Sequence, residues 1–317
     1  MARRTVIDLE RVIAGDRIAM ARAITAIESD APDSDSLLRA LFRRTGRAYR
    51  IGVTGPPGAG KSTITGKLAA HYRRQELNVG IIAVDPTSPF TGGALLGDRV
   101  RMTDVELDSG VFIRSMASRG SLGGLSKKAT EAADILDAAG MQIVLLETVG
   151  VGQSELDIAG AADTTVVVLV PESGDSIQAM KAGLMEIADV FVLNKSDREG
   201  ADQAVTAIQL ILNFRSIDGW VPQVLQTVAS EGKGVTELAE AVMKHRRFLE
   251  GHGALEERRI ARMRRHITEL VADRMREDFW TDERRRLLAD RLEELMRRET
   301  NPYEIAEELI AHFHGQG

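Results

Sequence analysis

A doubly wound α/β fold with a mostly parallel sheet is the architecture this 317-residue sequence predicts, and three observations carry the prediction. From Tyr49 onward, apolar runs alternate with helix-compatible stretches. The runs, YRIGVTG, VGIIAVD, QIVLLET, TTVVVLV, DVFVLN and PQVLQTVAS, are continuous in apolar character, as strands covered by helices on both faces must be. Finally, the first run passes through a glycine-rich turn straight into TITGKLAAHYRR, the strand–turn–helix order of a βα unit.

Each flank has a different texture. Between Val12 and Leu41 apolar residues recur at helical spacing (Ile18, Ala21, Ile24, Ile27, then Leu37, Leu38, Leu41) around the polar break ESDAPDSDS. After EGHGAL the chain becomes Arg- and Glu-rich, with Ile260, Met263, Ile267, Leu270 and Val271 keeping a three/four spacing. The expected division is a helical extension over 1–48, a nucleotide domain over 49–249 and a helical arm over 250–317, the arm being either a solvated hairpin or a dimerisation element.

Composition excludes several classes. A charged fraction of 28% with a net charge of −6 describes a globular chain with no general attraction for nucleic acid or acidic membrane. Acids intersperse the arginines of the arm, which disfavours a nucleic-acid arm. With no cysteine there are neither disulfides nor thiolate metal sites. No apolar run nears the roughly 20 residues that span a bilayer, and the start lacks the apolar core of a signal peptide, so the expected location is cytoplasmic.

The turn reads GPPGAGKST, which fits G-x-x-x-x-G-K-[ST] with Gly55, Gly60, Lys61 and Ser62; Gly58 lies inside it and Thr63 follows. Glycines let backbone N–H groups turn inward around phosphate oxygens, the helix start adds its positive end, and Lys61 adds a charge at the β- and γ-phosphates. This is the loop of a P-loop NTPase. Ser62 would offer a hydroxyl to Mg²⁺, a hard cation that takes oxygen ligands. Further ligands are expected at strand ends: Asp85 closes IIAVD, Glu147 closes IVLLE, and Asp98 lies in the intervening GGALLGDRVRM, where it could instead cap a helix.

A second motif, NKSD, follows DVFVLN and supplies Asn194, Lys195 and Asp197. Asp197 can accept from N1–H and N2–H of guanine, a donor pair adenine lacks, while Asn194 would meet O6 or N7. Facing adenine, Asp197 would keep unpaired lone pairs at a cost on the order of 1–3 kcal/mol. The expected ligand is therefore GTP or GDP, with Ala229 and Ser230 adding backbone contacts to the base. Hydrolysis should be slow: after Gly150 stands Val151, which cannot orient water. Gln153, Glu155, Asp175, Gln178 and Lys181 are polar groups that could compensate, Lys181 being otherwise a solvated helix residue.

GPPGAGKST, AVDPTSPFTGGALLGDRVRM, SRGSLGGLS, ETVGVGQSE, NKSD, the N-terminal AGDRIAMARAITAIES and the C-terminal NPYEIAEELI together resemble the GTPase chaperones of adenosylcobalamin-dependent acyl-CoA mutases, whose best-known members serve methylmalonyl-CoA mutase. The resemblance implies a homodimer joined through the C-terminal arm, binding of a mutase, gating of cobalamin loading, ejection of inactivated cofactor, and contact with the cobalamin adenosyltransferase, with no cobalamin held tightly on this chain. It also implies catalytic roles for Lys61, Glu147, Asp175 and Lys181, with PESGDSIQAMK as a switch loop. Ser176 departs from that pattern, since an acidic residue commonly follows the aspartate. The competing readings are an ATP-dependent kinase or transport ATPase, opposed by Asp197; a metallochaperone GTPase, opposed by the lack of cysteine and six largely scattered histidines; and a GTPase targeting ribosomes or membranes, opposed by net charge.

Overall fold

The computed structural model describes residues 7–85, 102, 105, 107–117, 124–148, 154–171, 183–212 and 219–315. Met1–Ile260 form one compact unit and Ala261–Gly317 a second.

Among the described residues of the first unit seven parallel strands form one sheet: β1 (Tyr49–Thr54), β2 (Val79–Asp85), β3 (Val111–Ala117), β4 (Ile143–Thr148), β5 (Thr164–Leu169), β6 (Val190–Asn194) and β7 (Gln223–Thr227), in the order β3-β2-β4-β1-β5-β6-β7. Both faces of the sheet are covered, and alternation along each strand shows it. Ile81 and Leu145 join the core with α4 (Lys61–Arg73) and α9 (Val235–Gly251), whereas their neighbours Ile82 and Leu146 join the core on the other side. That second core takes α1 (Leu9–Ile13), α2 (Arg17–Glu28), α3 (Ser34–Leu41), α5 (Gly124–Ala138) and α6 (Ser154–Ala161). A third cluster lies beyond β5, where Phe191 and Leu193 meet α7 (Leu184–Ile187) and α8 (Ala201–Leu212).

The sequence reading anticipated six strands, not β3. VFIRSMA carries Arg114 and Ser115 among its apolar residues, and it forms the sheet edge, paired with β2 alone. An edge position tolerates such residues because side chains of the covering helix can meet them: Arg114 donates to Thr25 at 3.1 Å and pairs with Glu28, both on α2.

One buried acid on α5 sets a pH dependence. Glu131 is 3% exposed, 3.6 Å from Lys128, and burial pushes its carboxyl up to about 7 from an ordinary 4.5. A folded-state value above the unfolded one means a contribution fully present below pH 4.5 and lost as pH rises through 7. Glu131→Gln removes that loss. It is expected to stabilise the chain by about 2–3 kcal/mol at pH 8 and far less at pH 5, as denaturant unfolding at both pH values would show. Equal changes at the two values would count against a buried carboxylate as the cause.

The second unit is helical, comprising residues 261–279 of α10 (Ala254–Phe279), then α11 (Asp282–Met296) and α12 (Pro302–His314). Local chemistry sets its boundaries. Thr281 accepts from the N–H of Arg284, and Asn301 accepts from the N–H groups of Tyr303 and Glu304 with Pro302 in the first turn. Met263, Ile267, Val271 and Met275 stand exposed along one face of α10 at three/four spacing. Among the described residues no helix is long and apolar enough to cross a membrane.

Candidate nucleotide site

The sequence folds β1 into a loop and then α4, and the loop's shape depends on two glycines. Gly55 has φ +135°, and a Cβ there would sit 2.1 Å from the carbonyl oxygen of Val168 on β5. Gly60 has φ +91°, and a Cβ would sit 2.3 Å from Nδ2 of Asn194. Only glycine fits either position. Gly58 also lies at positive φ, in open space. Lys61 begins α4, and its Nζ donates to the carbonyls of Gly55 at 2.5 Å and Pro56 at 3.0 Å, so the ammonium lies over the loop that would hold phosphate. Ser62 and Thr63 complete the first turn, where free N–H groups and the helix dipole favour an anion.

Glu147 reaches this loop because β4 lies next to β1. Its register partner is Val53, one residue before the strand ends at Thr54. Buried Ser62 donates from Oγ to Glu147 Oε1 at 2.5 Å. Two hard oxygens thus meet at a buried position beside the phosphate loop, the donor chemistry that suits Mg²⁺. Behind them Thr148 donates to Thr54 at 3.1 Å, tying the two strand ends together. Asp85 closes β2, two residues past Ala83, which pairs in register with Glu147; the side chain of Asp85 lies outside the described residues. Asp98, Asp175 and Lys181 lie outside them too, as do Val151, Gln153 and Gln178, and the side chain of Glu155.

At the base end, Asn194 closes β6 and is 3% exposed. Its Nδ2 donates to the carbonyl of Ala59 in the phosphate loop at 2.8 Å, and its Oδ1 accepts from Thr227 Oγ1 at 3.0 Å and from the N–H of Ala229 at 3.1 Å. The amide oxygen is saturated and one N–H remains for a base acceptor. The sequence reading set Asn194 against O6 or N7 of guanine, which that N–H could still meet; the rest of the amide is a strut joining the phosphate loop to the base loop. Ala229 likewise spends its N–H on Asn194, while Ser230 is exposed. Lys195 holds φ +58°, turning the chain so that Ser196 donates from both N and Oγ to Thr227 O at 3.1 Å, and Asp197 follows, exposed.

The phosphate loop, a Ser–Glu oxygen pair and an N-K-x-D turn are thereby gathered at the carboxyl ends of β1, β4 and β6, where open α/β sheets bind ligands. The family model described as methylmalonyl-CoA mutase-associated GTPase MeaB matches residues 20–284. The chain belongs to the MeaB family.

A Pyrococcus abyssi protein carrying the name GTPase is 46% identical over 313 residues, spanning 98% of this chain and 97% of its own. The mouse protein named methylmalonic aciduria type A homolog, mitochondrial, is 33% identical over 291 residues, 85% of this chain and 70% of its own. A crystal structure of a LAO/AO transport system kinase superposes with a TM-score of 0.72 at 29% identity, with 96% of each chain covered. This MeaB-family protein is a P-loop GTPase, and the strand order and loop geometry agree with that fold.

Sequence reasoning missed three participants in the MeaB-family site. Thr227 and Ala59 matter only through Asn194; the Asn194–Thr227 register of β6 and β7 was the signal for the first. Lys233 pairs with Glu231 at 2.6 Å, and its ammonium is favoured first by Glu231 and also by Asp197, so Asp197 has a cation nearby.

Proposed function

We propose that this MeaB-family GTPase is a chaperone of an adenosylcobalamin-dependent acyl-CoA mutase that gates cofactor loading, protection and reactivation through GTP hydrolysis. The family description, matched from residue 20 to residue 284, is the observation that carries the reading. In it, residues 49–249 hold the nucleotide, 1–48 and 250–317 are helical extensions, and the protein works in the cytoplasm. Lys61 and the amides of Gly58 to Thr63 bind the phosphates. Ser62 and Glu147, joined by Asp85 and Asp98, hold Mg²⁺, which when bound supplies positive charge against the β- and γ-phosphates. Asp175 and Lys181 belong to a loop through which the mutase speeds hydrolysis. Support for a homodimer comes from the exposed apolar face of Met263, Ile267, Val271 and Met275, which a second copy would cover. The cobalamin adenosyltransferase is a further partner, and cobalamin is handed on rather than kept.

The test is steady-state hydrolysis of GTP and ATP with Mg²⁺, with and without a purified mutase. Slow GTP turnover that rises severalfold with the mutase supports the reading; turnover that ignores the mutase removes the chaperone role and leaves the GTPase. Similarity to the solved transport system kinase favours a kinase as the second reading, which predicts ATP preference. Asp197→Ala separates the two: GTP affinity should fall by about 10- to 100-fold, the loss of charge-assisted hydrogen bonds to guanine, with ATP affinity unchanged. Equal losses for both nucleotides would mean Asp197 does not read the base.

A further inference from the structure

The surface segment just before β1 carries charge that nothing in the described structure uses. Over residues 39–47 the sequence reads RALFRRTGR, and Arg39, Arg43, Arg44 and Arg47 are all exposed. No acid lies within these nine residues. None of the four arginines has an ion-pair partner among the described residues, whereas nearby Arg11, Arg50 and Arg114 each have one. Phe42, in their midst, is 54% exposed. Four like charges within nine residues, without an ion-pair partner among the described residues and with an exposed phenyl ring between them in sequence, repel one another on a chain whose net charge is −6.

The backbone beneath them is fixed. The carboxylate of Asp137 accepts from the N–H groups of Gly46 at 2.6 Å, Arg47 at 3.2 Å and Ala48 at 2.9 Å. From the other side Arg259 donates to the carbonyls of Gly46 at 2.6 Å and Ala48 at 3.0 Å. Thr45 closes the preceding turn by donating to the carbonyl of Phe42. A loop held this way keeps its place when a partner arrives, so little ordering cost opposes binding. Arginine and aromatic residues are also the types enriched at interface hot spots, and the guanidinium fork matches carboxylates bidentately.

We infer that Arg39, Phe42, Arg43, Arg44 and Arg47 form a docking face for an acidic protein surface with an apolar recess for the phenyl ring. In naming that surface as the mutase's, the inference rests on the function proposed above. The segment enters the amino end of β1 and the phosphate loop leaves its carboxyl end, so docking here is separable from hydrolysis.

The experiment measures binding of the full chain to a purified cobalamin-dependent acyl-CoA mutase, loaded with GDP or a non-hydrolysable GTP analogue, at low and near-physiological salt. The variants are R43E/R44E/R47E, the milder R43Q/R44Q and Phe42→Ser, with melting temperature, intrinsic GTP turnover and sedimentation followed in parallel. The triple variant should bind about tenfold or more weakly, with a flatter salt dependence, and keep its turnover; the other two should lose severalfold. Unchanged mutase affinity in all three variants overturns the docking face and leaves the chaperone reading standing. Wild-type chain that binds no mutase in either nucleotide state overturns both. Loss of affinity for a 20-base-pair duplex or for phosphatidylserine vesicles, with mutase binding intact, would assign the face to nucleic acid or membrane and overturn the inference. A changed oligomeric state would instead make it a contact between copies of this chain.

Discussion

Asn194→Ala is expected to destabilise the nucleotide-free chain by about 3–5 kcal/mol, more than the loss of a base contact could explain. The mutation removes three hydrogen bonds at a buried position and strands the carbonyl of Ala59, the hydroxyl of Thr227 and the N–H of Ala229. Leaving a buried polar group unpaired costs roughly 1–3 kcal/mol, and relaxation recovers part of the sum. Nucleotide affinity should fall too, at the phosphate end as well as the base end, because Ala59 belongs to the phosphate loop. Asn194→Asp is the informative companion: it keeps the acceptor for Thr227 and Ala229 but sets a carboxylate against the Ala59 carbonyl. Denaturant unfolding without nucleotide measures the first effect, and binding of GDP against free pyrophosphate the second. If Asn194→Ala melts like the wild type and loses only guanine selectivity, the strut contributes nothing and the residue serves the base alone.

The second large effect is expected at the opposite end of the sheet. Asp189, just before β6, takes both Nη atoms of Arg258 at 2.9 Å, accepts from the N–H of Thr165 at 2.8 Å, and lies 3.3 Å from Nε2 of His245. Its backbone carbonyl accepts from Trp220 Nε1. His245 is fully buried, its Nδ1 lies 2.8 Å from Thr164 Oγ1, and that oxygen is 2.5 Å from the hydroxyl of Tyr49. Burial pushes the imidazole down to about 4, so at neutral pH the ring is uncharged and Asp189 is answered mainly by Arg258. Asp189→Ala leaves that guanidinium without its partner and should cost about 3 kcal/mol, at the lower end for a buried pair because Arg258 is partly exposed. Replacing both, as Asp189→Leu with Arg258→Met, should recover most of the loss, since an apolar pair leaves no buried charge unpaired. A double variant no better than the single one would locate the cost in the Thr165 N–H instead.

How much of this was legible in the sequence depended on the distance over which a signal acts. Strands β1, β2, β4, β5 and β6 were readable as mainly apolar runs between helix-compatible stretches, and β7, QVLQT, only as part of the longer stretch PQVLQTVAS. Strand β3 was not, because Arg114 and Ser115 interrupt the run and are tolerated only by its place at the edge beside α2. The phosphate loop was readable because its glycines, lysine and serine act within one turn. Glu147 was read from its strand end alone, and in the structure its Oε1 takes the hydroxyl of Ser62 at 2.5 Å.

Asn194 was recognised by motif, and the motif is silent on the protein partners of its amide. Nothing within a few residues of NKSD shows that Ala59, 135 residues earlier, takes one of its donors. The bonds of Arg258 to Asp189 and of Arg259 to Ala48 join residues 69 and 211 apart, and the arm read simply as Arg-rich and amphipathic. By itself the sequence determined the α/β fold, the GTPase chemistry and the order of phosphate loop, Glu147 strand end and N-K-x-D turn along the chain, because periodicity and short motifs are written in local spacing. Only the tertiary structure decided which polar groups remain for a ligand and which are consumed in holding the site together, because hydrogen-bond partners across a sheet are set by strand order and register.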